Sequence, residues 1–137
     1  MHLKLDHDSR RCNGTLRITG SKSETNRLLL LQALFRGFEI ENVSNSDDSK
    51  VMQEALITSY GRINIHHAGT AMRFLTAYFS QLEGREVVLT GSTRMQERPI
   101  KILVEALRSL GASIQYEKEE GYPPLRIQGK KLKGGAV

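Results

Sequence analysis

The chain has 137 residues, 39% of them hydrophobic and 26% charged, with a formal net charge of +5; this is enough for one soluble globular domain with a core. No apolar run approaches the roughly 20 residues of a membrane span, and "MHLKLDHDSRRC" lacks both the apolar centre of a secretory signal and the acid-poor composition of an organelle address. The sequence pI of about 9.6 points to anionic partners, but 6% aromatic residues, no Trp and no basic run interleaved with aromatics argue against a base-stacking platform.

"HLKLDH" at 2–7 alternates and reads as a strand, as does "GTLRITG" at 14–20. Between them Cys12, the only cysteine, rules out an internal disulfide and fits a reducing cytoplasm. From Ser23 to about Phe35 apolar residues and helix formers predict a helix that stops at Gly37, with Ser21 and Glu24 at capping-box spacing. "FEIENV" at 38–43 reads as a strand. The stretch 44–61 reads as a helix with Asp47 and Asp48 in its first turn and Gly61 behind it. "RINIH" at 62–66 is a short strand, and a helix opens near Gly69 and closes at Gly84. "REVVLTG" at 85–91 is a strand, and Pro99 begins a helix that runs to Gly111. "ASIQYEKE" at 112–119 and "PPLRIQG" at 123–129 are strands around a Pro123–Pro124 turn. The lysines of "GKKLKGG" at 129–135 read as a solvated strand or tail.

The order strand, helix, strand, helix, strand thus occurs twice. Arg27 before Leu28 aligns with Arg73 before Phe74, Gly37 with Gly84, and "QEALITSYG" at 53–61 with "VEALRSLG" at 104–111. A period of about 50 residues marks a duplicated unit.

Chemistry concentrates where strands hand over to helices. In "GSKSETNR" at 20–27, free N–H groups at a helix start favour an anion. Lys22 and Arg27 are locally unfavourable there unless a strong anion is bound, and Ser23 adds a hydroxyl donor; a phosphate or carboxylate suits the set. The alternative is that Ser21 or Ser23 caps the helix and the cations face water. A Walker phosphate loop is absent. In "HHAGTAMR" at 66–73, Gly69 permits close backbone approach, Thr70 offers a hydroxyl and Arg73 a cation, unless Arg73 serves a structural ion pair. In "STRMQERPI" at 92–100, Arg94 follows a strand end and is placed for an anion. Arg98 reads as a partner of Glu97 or another carboxylate. Neither the Asp47–Asp48 pair nor His66 and His67, which would face opposite ways on a strand, suffices for a metal site.

In order along the chain, "GSKSETNR", "SDDS", "HAGTAMRFL", "LTGSTRMQERPI", "LVEALRSLGA" and "EGYPPLRIQG" resemble the front of the 5-enolpyruvylshikimate-3-phosphate synthase (3-phosphoshikimate 1-carboxyvinyltransferase) family, over nearly all of 14–137. The resemblance implies an α/β fold of repeated βαβαββ units, the inside-out α/β barrel of the enolpyruvyl transferases, with about two units present. Family chains are much longer. It therefore implies a fragment in which 1–20 are opening strands and hinge belonging with the far lobe, and 21–137 are two of the three repeats of the N-terminal lobe. In isolation, Met1–Ile18 would be frayed or unusually paired. The implied activity is transfer of the enolpyruvyl group of phosphoenolpyruvate to the 5-hydroxyl of shikimate 3-phosphate, with release of phosphate, through a tetrahedral intermediate. It needs no metal or organic cofactor. The implied setting is the cytoplasm, and the whole enzyme would be a monomer with no nucleic-acid or membrane partner.

Carried over by resemblance, Lys22 contacts both substrates and is the one residue here with a catalytic role. Ser23 and Arg27 hold shikimate 3-phosphate; Gly69, Thr70 and Arg94, with Lys22, hold phosphoenolpyruvate. Fixed cations and closure of two lobes suit such anions. The general acid and base would lie in the missing C-terminal lobe, leaving the fragment inactive alone. His67, Phe74 and the short Gly61–His66 connection depart from the family pattern. The retained Gly69 predicts that the whole enzyme is sensitive to glyphosate. Two other readings are weaker. A UDP-N-acetylglucosamine enolpyruvyl transferase would carry Lys-Asn where Lys22–Ser23 stands, and a non-catalytic basic module for anions or nucleic acid rests only on pI and the lysine tail.

Overall fold

A computed structural model describes residues 8, 11, 13–35, 37–58 and 60–135. In chain order its helices are α1 (Lys22–Leu34), α2 (Asp47–Ile57), α3 (Gly69–Ser80), α4 (Thr93–Gln96) and α5 (Lys101–Ser109); its strands are β1 (Gly61–Asn64), β2 (Glu86–Thr90), β3 (Ser113–Tyr116) and β4 (Leu125–Gln128). The strands form one sheet in the order β1-β2-β4-β3. β1 and β2 run parallel, with Ile63 opposite Leu89. The β2–β4 and β3–β4 pairs are antiparallel, with Val88 and Gln115 both opposite Arg126.

The path β1, α3, β2, α5, β3, β4 is a complete βαβαββ unit. Parallel strands need a crossover, and α3 supplies it from β1 to β2. Alternation sets the sheet faces: in β4, Leu125 and Ile127 are buried and Arg126 points outward. Arg126 there bonds Glu86 and Glu117, each at 2.8 Å, and Arg62 joins Glu117 at 2.7 Å. The inner face meets α3, whose Met72, Leu75 and Phe79 are at most 1% exposed. Val104 of α5, Met52 of α2 and Leu29 of α1 complete this core. Two buried hydroxyls of α3 are satisfied inside the helix: Thr76 donates to the Met72 carbonyl at 2.7 Å and Ser80 to the Thr76 carbonyl at 2.6 Å.

The second copy of the sequence repeat is therefore realised in full. Of the first copy, only the helices α1 and α2 form. The expected strands at 14–20 and 38–43 are not strands. A strand exists only against a neighbour, and the described residues offer these segments none. Leu16 is 90% exposed and Ile18 77%. One backbone bond, from the Gly20 N–H to the Asn42 carbonyl at 2.9 Å, ties the two segments. The strand expected at 2–7 lies outside the described residues.

The capping box expected at Ser21 and Glu24 does not form either. Ser21 occupies the N-cap position of α1 with no side-chain cap bond. The front of α1 is instead anchored by tertiary polar contacts. Thr25 accepts from the Ser44 N–H at 3.0 Å, and Asn26 accepts from the Ser49 hydroxyl at 2.9 Å. Gly84 and Gly111, at φ 77° and 99°, follow α3 and α5 as the glycine pattern predicted. Gly61 instead opens β1, because α2 has already ended at Ile57.

Tyr116, at the end of β3, has a buried hydroxyl with no hydrogen-bond partner among the described residues. Burial pushes its phenol above the ordinary value of 10.0, against a smaller opposing pull from Arg108. The folded state therefore disfavours the phenolate. The Tyr116 contribution to stability is constant well below pH 10.0 and falls as pH climbs from there through the raised folded value. An ultraviolet difference titration should show one late-titrating phenol that disappears in Tyr116→Phe; a titration unchanged by that substitution would refute the assignment.

Candidate functional site

Because β1 and β2 are parallel, their carboxyl ends share one edge of the sheet, where α3 and α4 begin. The Ser92 N–H donates to the His66 carbonyl at 2.9 Å, pinning the turn after β2 to the turn after β1. Ser92 also caps α4 by accepting from the Met95 N–H. Gly91 sits between them: a Cβ there would lie 2.6 Å from the His66 carbonyl oxygen. The first turn of α1 closes the third side.

These elements frame a cleft of about 450 Å³ lined by Lys22, Arg27, Asp48, His67, Gly69, Thr70, Arg73, Phe74 and Arg98. Four are cations and one is a carboxylate. Lys22 Nζ lies 3.6 Å from Asp48 Oδ2, so the cation at the positive end of α1 is offset by an acid in the first turn of α2. The Arg27 Nη1 donates to the Ser23 carbonyl at 2.8 Å, and its guanidinium stands 5.7 Å over the Phe74 ring. Arg73 donates to the carbonyls of Gly69 at 3.1 Å and Pro99 at 3.4 Å, and so is held by backbone oxygens rather than by the structural ion pair weighed for it. α1 and α3, whose first turns face the cleft, have no side-chain cap, whereas Ser46 caps α2 and Ser92 caps α4. Their leading N–H groups have no side-chain acceptor, as is also the case at α5.

A second cleft of about 320 Å³, lined by His67, Ser92, Arg94, Met95 and Arg98, abuts the first through His67 and Arg98. The expected site residues thus separate. Lys22, Arg27, Gly69 and Thr70 share the main cleft, and Arg94 stands in its neighbour. Ser23 lines neither; it contributes its carbonyl to Arg27. The larger hollow of about 520 Å³ against Leu29, Leu56 and Tyr78 has no cation to hold an anion. Asp47, Asp48, Glu54, His66 and His67 line a further hollow, but among the described residues no three His, Cys, Asp or Glu side chains group as metal ligands.

Two features escaped the sequence reading. Asp48 read as a helix-start acid, yet it also faces Lys22. Arg98 does not pair with Glu97: its guanidinium has no hydrogen-bond or ion-pair partner among the described residues, and it points at the junction of the two clefts. No local signal marked Arg98, which lies beyond the end of α4.

A βαβαββ unit with a cation-lined cleft where β1 hands over to α3, beside the first turn of α1, defines an α/β protein. The chain belongs to the family described as EPSP synthase (3-phosphoshikimate 1-carboxyvinyltransferase), which matches it over residues 7–62 and 57–137. It is similar to the 3-phosphoshikimate 1-carboxyvinyltransferase of Bacteroides fragilis, 50% identical over 124 residues, covering 90% of this chain and 30% of that protein. It is also similar to that of Actinobacillus pleuropneumoniae serotype 5b, 44% identical over 157 residues, covering 93% of this chain and 36% of that protein. Among solved structures, EPSP synthase from Acinetobacter baumannii shares the fold with a TM-score of 0.78 at 23% identity, over 90% of this chain and 34% of that one. The chain spans about a third of the length of these relatives.

Proposed function

We propose that this chain is the part of a 3-phosphoshikimate 1-carboxyvinyltransferase that holds shikimate 3-phosphate and one side of phosphoenolpyruvate. The convergence of Lys22, Arg27, Arg73 and Arg98 with one carboxylate at two uncapped helix starts carries this reading. Both substrates are multiply charged anions, and the cleft is a preformed cationic surface. In this reading Arg27, with Ser23 beside it, binds the phosphate of shikimate 3-phosphate. Lys22 bridges to phosphoenolpyruvate, which Gly69 and Thr70 contact from α3 and Arg94 from α4. The 5-hydroxyl oxygen gives up its proton and bonds to C2 of phosphoenolpyruvate as the C2–C3 double bond opens and C3 takes up a proton. A proton then leaves C3, the double bond re-forms and the C2–O bond to phosphate breaks, releasing phosphate. Lys22 favours both steps by compensating negative charge on the substrate. Proton transfer falls to the lobe this chain lacks, so the chain alone turns nothing over.

The reading places 1–20 with the far lobe and 21–137 in the near one. Its partners are that lobe and the two anions, with no nucleic acid, membrane, metal or organic cofactor, in a cytoplasmic enzyme that is monomeric when whole. Among the described residues no helix is long and apolar enough to cross a membrane. The whole enzyme would be sensitive to glyphosate through the pocket beside Gly69.

The test is a titration of the chain with shikimate 3-phosphate, followed by backbone NMR. Saturable shifts confined to the first turns of α1 and α3 are expected. No response, together with oligonucleotide binding that weakens steeply with salt, would replace the reading with a nucleic-acid module.

A further inference from the structure

Three cations of the main cleft are already held: Lys22 by Asp48, Arg27 by the Ser23 carbonyl, and Arg73 by the Gly69 and Pro99 carbonyls. Arg98 is the fourth, and it has no such partner among the described residues. It follows α4, where its backbone N–H bonds the Met95 carbonyl at 3.1 Å, so the base of the side chain is fixed while its end is free. That end lies across Gly69. A Cβ at position 69 would sit 2.7 Å from Arg98 Nη1, 3.6 Å from Arg98 Cζ and 3.6 Å from Arg73 Nη1. Two guanidinium groups therefore converge on one point with no carboxylate between them. Like charges so placed repel, and a bound anion reverses the sign of that interaction.

We propose that Arg98 is an anion-binding residue of this site, joining the main cleft to the Arg94 cleft, and that position 69 lacks a side chain because the Arg98 guanidinium occupies its space. The ligand class is a small phosphorylated carboxylate that reaches both clefts. The inference rests on the proposed function and adds a residue to it. The clash at position 69 falls on the far end of a flexible side chain. Gly69→Ala should therefore fold normally and displace the guanidinium.

The experiment is a phosphoenolpyruvate titration, by NMR, of the wild-type chain, Arg98→Gln, Arg98→Lys, Gly69→Ala and the Gly69→Ala/Arg98→Gln pair. Arg98→Gln should bind about tenfold more weakly, the loss of a charge-assisted contact, and Arg98→Lys should recover part of it. Gly69→Ala should weaken binding in the wild-type background and change nothing further once Arg98 is Gln, a non-additivity expected when one substitution acts through the other. Unchanged binding in Arg98→Gln, or additive losses in the pair, would overturn the inference and leave the proposed function standing. A wild-type chain that responds to shikimate 3-phosphate but not to phosphoenolpyruvate would overturn it as well. A chain that responds to neither would overturn both.

Discussion

Arg27→Ala should lower the affinity of this chain for shikimate 3-phosphate by about 10- to 100-fold. The estimate takes one charge-assisted hydrogen bond at about 1.5–3 kcal/mol and about 1.4 kcal/mol for each factor of ten. Arg27 earns the upper part of that range because it is preorganised. Its Nη1 is bonded to the Ser23 carbonyl at 2.8 Å, and its guanidinium is stacked over Phe74. Little side-chain freedom remains to be lost on binding. Arg27→Lys should recover only a small part, since an ammonium cannot hold the carbonyl and the ring while presenting a planar fork to a phosphate. Thermal stability should hardly move, because the side chain is exposed and an exposed cation–π contact contributes about 0.5–1 kcal/mol. Calorimetric titration decides the matter. An affinity within twofold of wild type would make Arg27 a surface residue of α1 and remove it from the site.

The largest effect on stability is expected from a glycine far from the cleft. After β4 the chain turns against the C-terminal end of α3, where the Gly129 N–H bonds the Arg85 carbonyl at 2.8 Å and the Lys130 N–H bonds the Ser80 carbonyl at 3.0 Å. A Cβ on Gly129 would collide with the Leu82 carbonyl oxygen and lie 2.8 Å from the Phe79 carbonyl oxygen. Both obstacles are backbone, so no rotamer change relieves them. Gly129→Ala must move the end of α3 or detach the chain that satisfies it. A loss of about 3 kcal/mol, at the top of the overpacking range, should lower the melting temperature by about 10 °C. Gly84→Ala is the control. Its φ of 77° is strained for alanine, but the space around it is open, so it should cost only about 1–2 kcal/mol. Thermal unfolding of the two variants tests the ranking, and equal losses would show that backbone collision adds nothing to strain.

Such collisions cannot be read from a sequence, because Gly129 and Leu82 meet only in the fold. The same distinction runs through the molecule. Local signals were sufficient for α2, α3 and α5, where periodic apolar residues and terminal polar residues or glycines act within a few turns. They were sufficient also for β3 and β4, whose alternation matches one buried face, and for β2, an apolar run buried from Val87 to Thr90. The motifs that mark the family are contiguous stretches too, and Lys22, Arg27, Gly69 and Thr70 do share one cleft. The same alternation at 14–20 and 38–43 led to strands that do not form, because a ladder requires a partner and the described residues supply none. Ser21 had the spacing of a cap, but Thr25 and Asn26 anchor α1 through Ser44 and Ser49 instead. The partners of the charged groups were likewise non-local: Asp48 on α2 faces Lys22 on α1, and Arg98 passes by its neighbour Glu97 to lie over Gly69. The sequence by itself determined the helices α1, α2, α3 and α5 and the residues that mark the family, since those signals act over a few residues. The tertiary structure alone decided which strands pair, which cations of the main cleft are held and that Arg98 is not, since each depends on groups brought together by the fold.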